Sequence, residues 1–332
     1  MLDLYNNCSN QKEFPNNWKV AKLKIILKDQ KRDRRHINSY RPIALLSVVG
    51  KIYEKVIVER IQQLYEEQDL ASTKQFVFRK GKRVDDAFLN IRRTIKYCDK
   101  KYAVAPFVDI EGAFDNIWWP AMLKRIADAN CSTQILNIIK KYFKHRNVII
   151  ENTTKSYTRR MEKGCPQGSI LGPAAWVWCM DVLLHELETS IPEEMVEITA
   201  YADDLACVIK ANTRKEITNH GTKLIELINK WCRSHHLRMS TSKTVAMLVK
   251  GSMNEKHLPT LKINGKNVKY VNTVKYLGVI LDRRLTFVAH ATISQNKGSG
   301  VHVFCQKSCC RKMGHKNGHS KSTIQGCGAL YH

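Results

Sequence analysis

Three acidic residues stand directly beside short apolar runs, and this placement constrains the fold more than any other feature. Asp109 follows the apolar run 103–108, and Asp203 with Asp204 interrupts two apolar runs within residues 197–210. The first run has the length of a buried strand, and the second pair predicts a strand, a tight turn and a strand. A carboxylate at the end of a buried strand is costly unless another group compensates its charge.

A hard divalent cation is one such compensating group. Three carboxylates gathered where strands meet repel one another, and Mg²⁺ binds one or two protein carboxylates while it keeps waters and substrate phosphates. This donor set is typical of two-metal phosphoryl-transfer sites. The alternative is that Asp203 and Asp204 form only a solvated turn, because Asp favours turns. The dipeptide taken alone favours that alternative.

The chain is strongly basic, and much of the surplus lies in two segments. Its 332 residues include 55 Lys and Arg against 30 Asp and Glu, a net charge of +25. Residues 19–60 hold 12 basic and 4 acidic residues, and residues 74–101 hold 10 and 3. Clustered Lys and Arg are the usual footprint of a phosphate backbone. The alternative is a solvated basic surface.

Composition excludes several protein classes. A hydrophobic fraction of 43% with 8 Pro supplies a sizeable core and argues against a disordered chain. No apolar run approaches the roughly 20 residues of a membrane span, and residues 1–10 lack a secretion signal, so we expect no membrane partner. Eleven cysteines are too few for a disulfide scaffold. We expect an intracellular protein with reduced, buried thiols at Cys98, Cys131, Cys179, Cys207 and Cys232.

Apolar periodicity predicts helices over 49–64, 84–95, 135–143, 173–188 and 224–231. The helix over 173–188 is expected to bury one side, which includes Trp176 and Met180. Strands are predicted over 103–110, on both sides of 202–204 and over 244–249, with a β hairpin over 268–281 after the turn at Asn264 and Gly265. This order predicts an α+β fold with helices on one face of a sheet.

A glycine-rich loop, GCPQGSILGP at 164–173, lies between the two acidic sites and immediately before a predicted helix. Glycines let the backbone approach a ligand closely, and a helix N-terminus favours phosphate. The alternative for Ser169 is a plain helix N-cap.

These motifs resemble those of reverse transcriptases, specifically the polymerases of non-LTR (LINE-type, jockey/R1-like) retrotransposons. FVDIEGAFD at 107–115, PQGS at 166–169 and YADD at 201–204 resemble the three catalytic motifs in order and spacing. YRPIALL at 40–46 and QFVFRKG at 75–81 resemble the fingers motifs, and the resemblance runs from about residue 18 to residue 281. It implies a right-hand polymerase fold with fingers and an antiparallel palm sheet.

The resemblance implies specific catalytic roles. Asp109, Asp203 and Asp204 would hold two Mg²⁺ ions, for which Mn²⁺ is a substitute. Lys243 would protonate the leaving pyrophosphate, with a solvated surface Lys as the alternative. Phe114 would be the steric gate that excludes a 2′-hydroxyl, with ordinary core as the alternative. The implied nucleotide-binding residues are Ile110, Phe114, Gln167, Gly168, Lys51 and Arg41.

The resemblance also implies contacts with template and primer. The template residues would be Lys28, Arg79, Lys80 and Lys82, and the primer-grip hairpin would present Tyr276, Leu277 and Gly278. Val77 stands where the second fingers motif commonly has a glycine. A β-branched residue is tolerated at this position if its φ stays negative.

The expected organisation has five parts. Residues 1–14 are an N-terminal lead-in, 15–102 the fingers, 103–270 the palm, 271–290 the primer-grip hairpin and 291–332 a degenerate or disordered tail. We expect the helical thumb to be largely missing, because the tail has no Asp or Glu and no sustained apolar period. The tail pattern C-x3-C-x5-H-x3-H has too short a central spacer for an ordinary zinc finger.

The resemblance implies RNA-directed DNA polymerase activity on an RNA template, a DNA primer and dNTPs, in the nucleus, the cytoplasm or both. The alternative is a catalytically inactive, truncated nucleic-acid-binding remnant of the same element. An RNA-dependent RNA polymerase is disfavoured by Phe114 and the fingers motifs. The oligomeric state is not predicted.

Overall fold

The computed structural model describes residues 2–29, 33–79, 81–151, 154–254 and 257–290. The helices are α1 (Leu2–Asn10), α2 (Asn16–Lys19), α3 (Val48–Glu67), α4 (Val84–Lys96), α5 (Trp119–Asp128), α6 (Thr133–Phe143), α7 (Leu171–Ser190) and α8 (Arg214–Ser234). The strands are β1 (Val20–Leu27), β2 (Tyr40–Leu45), β3 (Tyr102–Val108), β4 (Asn147–Glu151), β5 (Ser156–Arg160), β6 (Val196–Tyr201), β7 (Asp204–Ala211), β8 (Val245–Lys250), β9 (Lys262–Ile263), β10 (Lys266–Asn267), β11 (Lys269–Tyr270), β12 (Thr273–Tyr276) and β13 (Val279–Asp282). Short 3₁₀ turns cover Ile37–Ser39 and Phe114–Asn116.

A five-stranded sheet in the order β11-β8-β3-β7-β6 forms the centre of the fold, and we call it the palm sheet. Its pairings are antiparallel except for the short parallel contact between β11 and β8. The predicted α+β class with an antiparallel sheet is therefore confirmed. The middle strand β3 is buried throughout residues 103–108 because both faces of the sheet are covered.

Helices cover one face of the palm sheet, as the sequence predicts, and the other face is covered as well. Residues of α5, α7 and α8 share a hydrophobic core with one set of alternating sheet residues. On the opposite face, α4 and the β12–β13 hairpin pack against the other set, for example through Phe88 and Tyr276. This alternation follows the two-residue period of a strand.

The first half of helix α7 is buried on nearly every side. The sequence of residues 171–180 is apolar all round, and the helix packs against α3, α5 and α8. A helix with this composition belongs in the interior of a protein. The predicted apolar side with Trp176 and Met180 is buried, and Ala175, Val177 and Trp178 on the other sides are buried as well.

A second sheet has the order β2-β1-β4-β5 and joins segments that are far apart in the chain. Strand β1 pairs antiparallel with β2 and parallel with β4, so residues 147–160 return to the N-terminal part of the fold. This sheet therefore joins strands from both sides of residue 102, the expected boundary between fingers and palm. The lead-in is also ordered, because Tyr5 stacks on Tyr53 at 5.7 Å and Phe14 is fully buried.

The other predicted elements agree with the structure to within a few residues, except that α8 begins ten residues before the predicted 224–231 helix and that the region near the C-terminus differs. The expected hairpin over 268–281 is divided into β9–β10 around the Asn264–Gly265 turn, the short β11, and the β12–β13 hairpin. Cys98, Cys179, Cys207 and Cys232 are buried free thiols, and Cys131 is half-buried. No helix among the described residues is long and apolar enough to span a bilayer. Residues 291–332, with the Cys and His pattern, lie outside the described residues.

The loop between α3 and α4 is held to α7 by a buried ion pair. Arg79 donates to Asp181 at 2.6 Å, and their side chains are 10% and 0% exposed. Asp181 also accepts from the backbone N–H of Ser72 at 3.3 Å. Burial raises the pKa of Asp181, and the guanidinium of Arg79 opposes that shift. Both ends of the loop are thus fixed to one carboxylate.

Replacing Arg79 by Ala is expected to lower the free energy of unfolding by about 3–5 kcal/mol, because the buried Asp181 loses its compensating charge. Urea denaturation monitored by tryptophan fluorescence measures this change. The control is Lys22→Ala, which removes an ion pair to Glu151 whose side chains are 60% and 48% exposed. It should cost no more than about 1 kcal/mol. Equal costs for the two variants would contradict this account of Arg79.

Candidate active site

The acidic turn, residues 201–204, joins β6 to β7 at the end of the palm sheet. Tyr201 pairs with Asp204, so Ala202 and Asp203 are the two central residues of a tight hairpin turn. Ala202 has a φ of +56°, whereas the φ of Asp203 is not positive. A positive φ at the first central residue alone is the type II′ pattern, which usually takes Gly. The predicted strand, turn and strand are confirmed.

The register of the palm sheet brings the acidic residues together. Val108 of β3 is opposite Leu205 of β7. Asp109 follows Val108 and Asp204 precedes Leu205, so both acidic residues lie at the same end of adjacent strands. Asp203 lies next to them in the turn. Two segments separated by about 90 residues therefore place three carboxylates at one sheet end, because adjacent antiparallel strands align their ends.

The electrostatics of the three carboxylates reflect this proximity. Partial desolvation by the surrounding protein, together with the charges of Asp203 and Asp109, raises the pKa of Asp204 to about 6. Burial likewise raises the pKa of Asp203, with a smaller contribution from Asp109. The charged forms therefore repel one another in a partly dry environment.

The segment 238–244 surrounds Asp109 with polar contacts. The backbone N–H of Asp109 donates to Thr244 Oγ1 at 3.1 Å, and its carbonyl accepts from the N–H of Ser240 at 2.8 Å. Lys243 Nζ lies 3.4 Å from Asp109 Oδ2 and is mostly exposed. The predicted Lys243 is therefore adjacent to the acidic cluster. Ile110 is buried next to Asp109 and pairs with Met239.

The glycine-rich loop is joined to the segment that follows Asp109. The N–H of Cys165 donates to the carbonyl of Phe114 at 2.9 Å, and Gln167 Nε2 donates to Asp115 at 3.1 Å. A Cβ on Gly164, which has a φ of +73°, would collide with the backbone carbonyl of Asp115. Phe114 is half-buried, and its ring centroid lies 6.0 Å from that of Trp176. The segment 107–115 and the glycine-rich loop at 164–173 are therefore in direct contact.

The same loop contacts strand β2. The N–H of Ala44 donates to the carbonyl of Gln167 at 2.7 Å. A Cβ on Gly168, whose φ is +119°, would stand 2.8 Å from the carbonyl oxygen of Ala44. Gly168 is therefore required for close approach of two backbones, since any side chain there would separate them.

The N-terminus of α7 is capped from within the protein. Glu54 of α3 is buried, and its Oε2 accepts from the N–H groups of Ile170 and Leu171 at 2.8 and 3.2 Å. Burial raises the pKa of Glu54, while the buried Arg146 and these two donors lower it. Ser169 Oγ accepts from Gly172 N–H at 2.9 Å, as its N-cap alternative implies. This helix end is not available to phosphate, contrary to the expectation from the sequence.

The predicted basic residues divide into two groups. Arg41 is exposed on β2, Lys51 is half-exposed on α3, and Lys28 is exposed just after β1. Arg79 pairs with Asp181 inside the protein, and Lys82 donates to the carbonyls of Thr73 and Gln75. The structure thus places both side chains in internal contacts rather than on a template surface. Lys80 lies outside the described residues.

The predicted primer-grip segment is a tight hairpin. Leu277 and Gly278 have φ of +47° and +81°, the two positive values of a type I′ turn. Tyr276 is buried between Phe88 and Phe107, at ring-centroid distances of 5.7 and 5.5 Å. Burial raises the pKa of its phenol well above the ordinary range. Leu277 and Gly278 are the accessible part of this hairpin.

Sequence reasoning missed Glu54 and Gln75. Glu54 lies on the apolar face of α3, between Tyr53 and Ile57, and a charged residue on such a face is the available signal for a buried partner. Gln75 is fully buried beneath the acidic turn and accepts from the N–H of Ala202 at 3.2 Å. No periodicity marks Gln75, because its partner is 127 residues away. Val77 keeps a negative φ, and its neighbour Phe78 has a φ of +51°.

The donor chemistry of the acidic cluster fits a hard divalent cation. Asp109, Asp203 and Asp204 offer carboxylate oxygens, and their mutual repulsion is the condition that a cation relieves. Within the described ranges, no group of three or more His, Cys, Asp or Glu side chains is arranged as a finished metal site. The cluster thus has the ligand type, and one or two carboxylates suffice for Mg²⁺ when a substrate supplies the other oxygens.

Comparison with solved structures supports the fold. The chain superposes on apo telomerase from Candida tropicalis, truncated from its C-terminal domain, with a TM-score of 0.57 and 12% identity, over 82% of this chain and 55% of that one. Telomerase from Candida albicans in complex with a fragment of telomeric RNA gives a TM-score of 0.56 and 11% identity, over 86% and 50%. At this identity the similarity concerns the fold alone.

Sequence comparison identifies the family. A Drosophila melanogaster protein described as a putative 115 kDa protein in type-1 retrotransposable element R1DM is 33% identical over 91% of this chain and 28% of its own length. The Pol polyprotein of element R1 from Bradysia coprophila is 33% identical over 94% and 30%. The chain thus spans less than a third of these relatives. Because the model of the reverse transcriptase (RNA-dependent DNA polymerase) family matches residues 26–281, the chain belongs to that family.

Proposed function

We propose that this chain performs RNA-directed DNA synthesis, as part of a non-LTR retrotransposon polymerase. The observation that carries the proposal is the convergence of Asp109, Asp203 and Asp204 at one end of the palm sheet. The substrates would be an RNA template, a DNA primer and dNTPs. Family membership supports the reaction class, and the spatial order of the motifs supports these residues as its site.

The neighbouring side chains support nucleotide selection and proton transfer. Phe114 and Gln167 are joined by the contacts of the glycine-rich loop, so a nucleotide held at the carboxylates would lie against both. Phe114 would exclude a 2′-hydroxyl, and Gln167 would contact the sugar or base. Lys243, 3.4 Å from Asp109, would donate a proton to the leaving pyrophosphate.

Asp109, Asp203 and Asp204 would hold two Mg²⁺ ions, or Mn²⁺ in their place. Bound ions of this kind lower the pKa of an attacking hydroxyl and neutralise phosphate charge. The carboxylates would orient the substrate, because they determine where the positive charge of the ions lies. Lys243 would balance part of the cluster's charge, because it lies beside Asp109 and its charge lowers the pKa of Asp203.

The nucleic-acid surface would include the exposed basic residues of the second sheet and α3. Arg41, Lys51 and Lys28 fit contacts with template or triphosphate by exposure and position, and Leu277 with Gly278 would approach the primer. Arg79 and Lys82 are left out of this surface because their charges are used internally. The free thiols of the described residues support a reducing compartment, the nucleus or the cytoplasm.

Replacing Asp109 or Asp203 by Ala is expected to abolish primer extension on an RNA template with dNTPs and Mg²⁺. Each loss removes several kcal/mol of transition-state stabilisation, so the rate should fall by at least on the order of 1,000-fold. Denaturing gel analysis of a labelled primer measures the product. RNA binding, measured by fluorescence anisotropy without Mg²⁺, should be retained.

The matched control is Asp128→Ala, because Asp128 is an exposed acidic residue at the end of α5. This variant should extend the primer as the parent does. A parent that folds and binds RNA but extends no primer would contradict the proposal and favour a silent nucleic-acid-binding fragment.

The stability of the metal-free chain is expected to depend on pH through Asp204. Its pKa rises from 3.8 to about 6 on folding, so the folded chain binds more protons than the unfolded chain between these values. The free energy of unfolding therefore falls as pH rises through this window. Asp204→Asn removes the effect, so its stabilisation relative to the parent should be larger at pH 7.5 than at pH 4.

Urea denaturation in the presence of a chelator, at both pH values, tests this prediction. Adding Mg²⁺ at pH 7.5 should stabilise the parent more than Asp204→Asn, because a cation bound to the folded state shifts the unfolding equilibrium. A stability difference that is independent of pH would show that folding does not raise the pKa of Asp204.

Replacing Phe114 by Val is expected to relax selection against ribonucleotides. The smaller side chain leaves room for a 2′-hydroxyl, so the ratio of kcat/KM for rNTP to that for dNTP should rise by about 10- to 100-fold. Single-nucleotide incorporation kinetics measure both values, and Phe114→Tyr, which keeps the ring, is the control. An equal loss of both activities in Phe114→Val would assign Phe114 to the core alone.

A further inference from the structure

The segment 74–76 extends the palm sheet beyond its edge strand β6. The N–H of Phe76 donates to the carbonyl of Ala200 at 2.9 Å, and the N–H of Ala200 donates to the carbonyl of Lys74 at the same distance. Gln75 and Ala200 form the corresponding parallel bridge. This segment comes from the loop between α3 and α4, which the sequence assigns to the fingers. It therefore lies directly beside the strand that leads into the acidic turn.

The side chain of Gln75 gathers backbone donors from two parts of the chain. It is 0% exposed, and its Oε1 accepts from the N–H groups of Phe76, Val77 and Ala202 at 3.1, 3.2 and 3.2 Å. Two of these donors belong to its own loop, and the third is the first central residue of the acidic turn. A single amide oxygen thus ties the loop to the turn.

The turn requires such support. A positive φ is energetically unfavourable for a non-glycine residue, and it persists only where surrounding contacts fix it. Ala202, with a φ of +56°, immediately precedes Asp203. Loss of the Gln75 acceptor would leave the N–H of the half-buried Ala202 without this bond and free the turn to relax. Either change moves the carboxylates of the acidic turn relative to Asp109.

The loop that carries Gln75 is itself fixed. The ion pair of Arg79 with Asp181, the bond from Ser72 to Asp181 and the bonds from Lys82 to the carbonyls of Thr73 and Gln75 all restrain it. The basic side chains of this loop therefore build a rigid support rather than a charged surface. The amide of Gln75 is the point at which this support reaches the turn.

We propose that Gln75 is a positioning residue for catalysis, which holds the Ala202–Asp203 turn so that Asp203 and Asp204 face Asp109. The inference rests on the proposed function, since it assigns those carboxylates to the reaction. Gln75 touches no substrate in this account and acts only through the N–H of Ala202.

The test compares the full-length Gln75→Met variant with the parent. Met keeps the length and the unbranched shape of Gln but lacks its strong acceptor. We expect kcat for primer extension to fall by about 10- to 100-fold, the range for a small misplacement of reacting groups. The KM for dNTP and the affinity for primer–template without Mg²⁺ should be unchanged. Amide hydrogen exchange of the peptide containing Ala202 should become faster.

The matched control is Asn90→Leu. Asn90 donates to Glu197 and Thr199 of β6 at 3.0 and 2.9 Å, so this variant also removes buried hydrogen bonds to the edge strand but leaves the turn untouched. It should lower the melting temperature while kcat and exchange at Ala202 stay as in the parent. If Gln75→Met does not fold, Gln75→Asn, with an amide one methylene shorter, replaces it.

Three results would overturn the inference: an unchanged kcat in the Gln75 variant, an equal fall of kcat in Asn90→Leu, or unchanged hydrogen exchange at Ala202. A parent without primer extension would instead defeat the proposed function. In that case the hydrogen exchange of the turn still decides whether Gln75 holds it, so the two failures are distinguishable.

Discussion

The repulsion among three carboxylates at one end of the palm sheet is the constraint on which the rest of the structure depends. Asp109 and Asp204 occupy adjacent strand ends because β3 and β7 pair directly, and Asp203 follows from the tight turn between β6 and β7. Partial desolvation and the neighbouring charges raise the pKa values of Asp203 and Asp204, so folding alone does not stabilise this arrangement. The surrounding elements hold an unfavourable charge cluster in place, as is common at functional sites.

Backbone contacts between distant segments supply that restraint. The glycine-rich loop bonds to the segment after Asp109 and to β2, and Glu54 of α3 fixes the start of α7. The loop containing Gln75 adds a further layer at the edge of the palm sheet. Part of the positive charge serves this framework, because Arg79 and Lys82 make internal contacts. A basic composition therefore overstates the surface available to nucleic acid.

Much of the architecture is predictable from local pattern, whereas the supporting contacts are not. Apolar periodicity predicted α3, α4, α6 and α8. Acidic residues beside predicted strands indicated the candidate site. Both signals arise because neighbouring positions are buried. The burial of α7 on its other sides was not predicted, because an apolar sequence does not show how many elements pack against a helix. Glu54 and Gln75 bond to residues more than 100 positions away. The position of Glu54 on an apolar helix face indicates a buried partner without identifying it, and nothing local marks Gln75. The parallel contact of β1 with β4 was missed for the same reason.

That parallel contact also bears on how the chain folds during synthesis. Strand β1 cannot complete its sheet until β4 and β5 have left the ribosome, although β3, which lies between them in sequence, belongs to the palm sheet. Closing so long a loop has an entropic cost, and sequence-distant strand pairing slows folding. The N-terminal strands therefore stay exposed while the middle of the chain is made. Their apolar residues include Ile25 and Ile26, which are exposed in the folded chain as well. Unpaired strand edges with exposed apolar residues favour aggregation during synthesis.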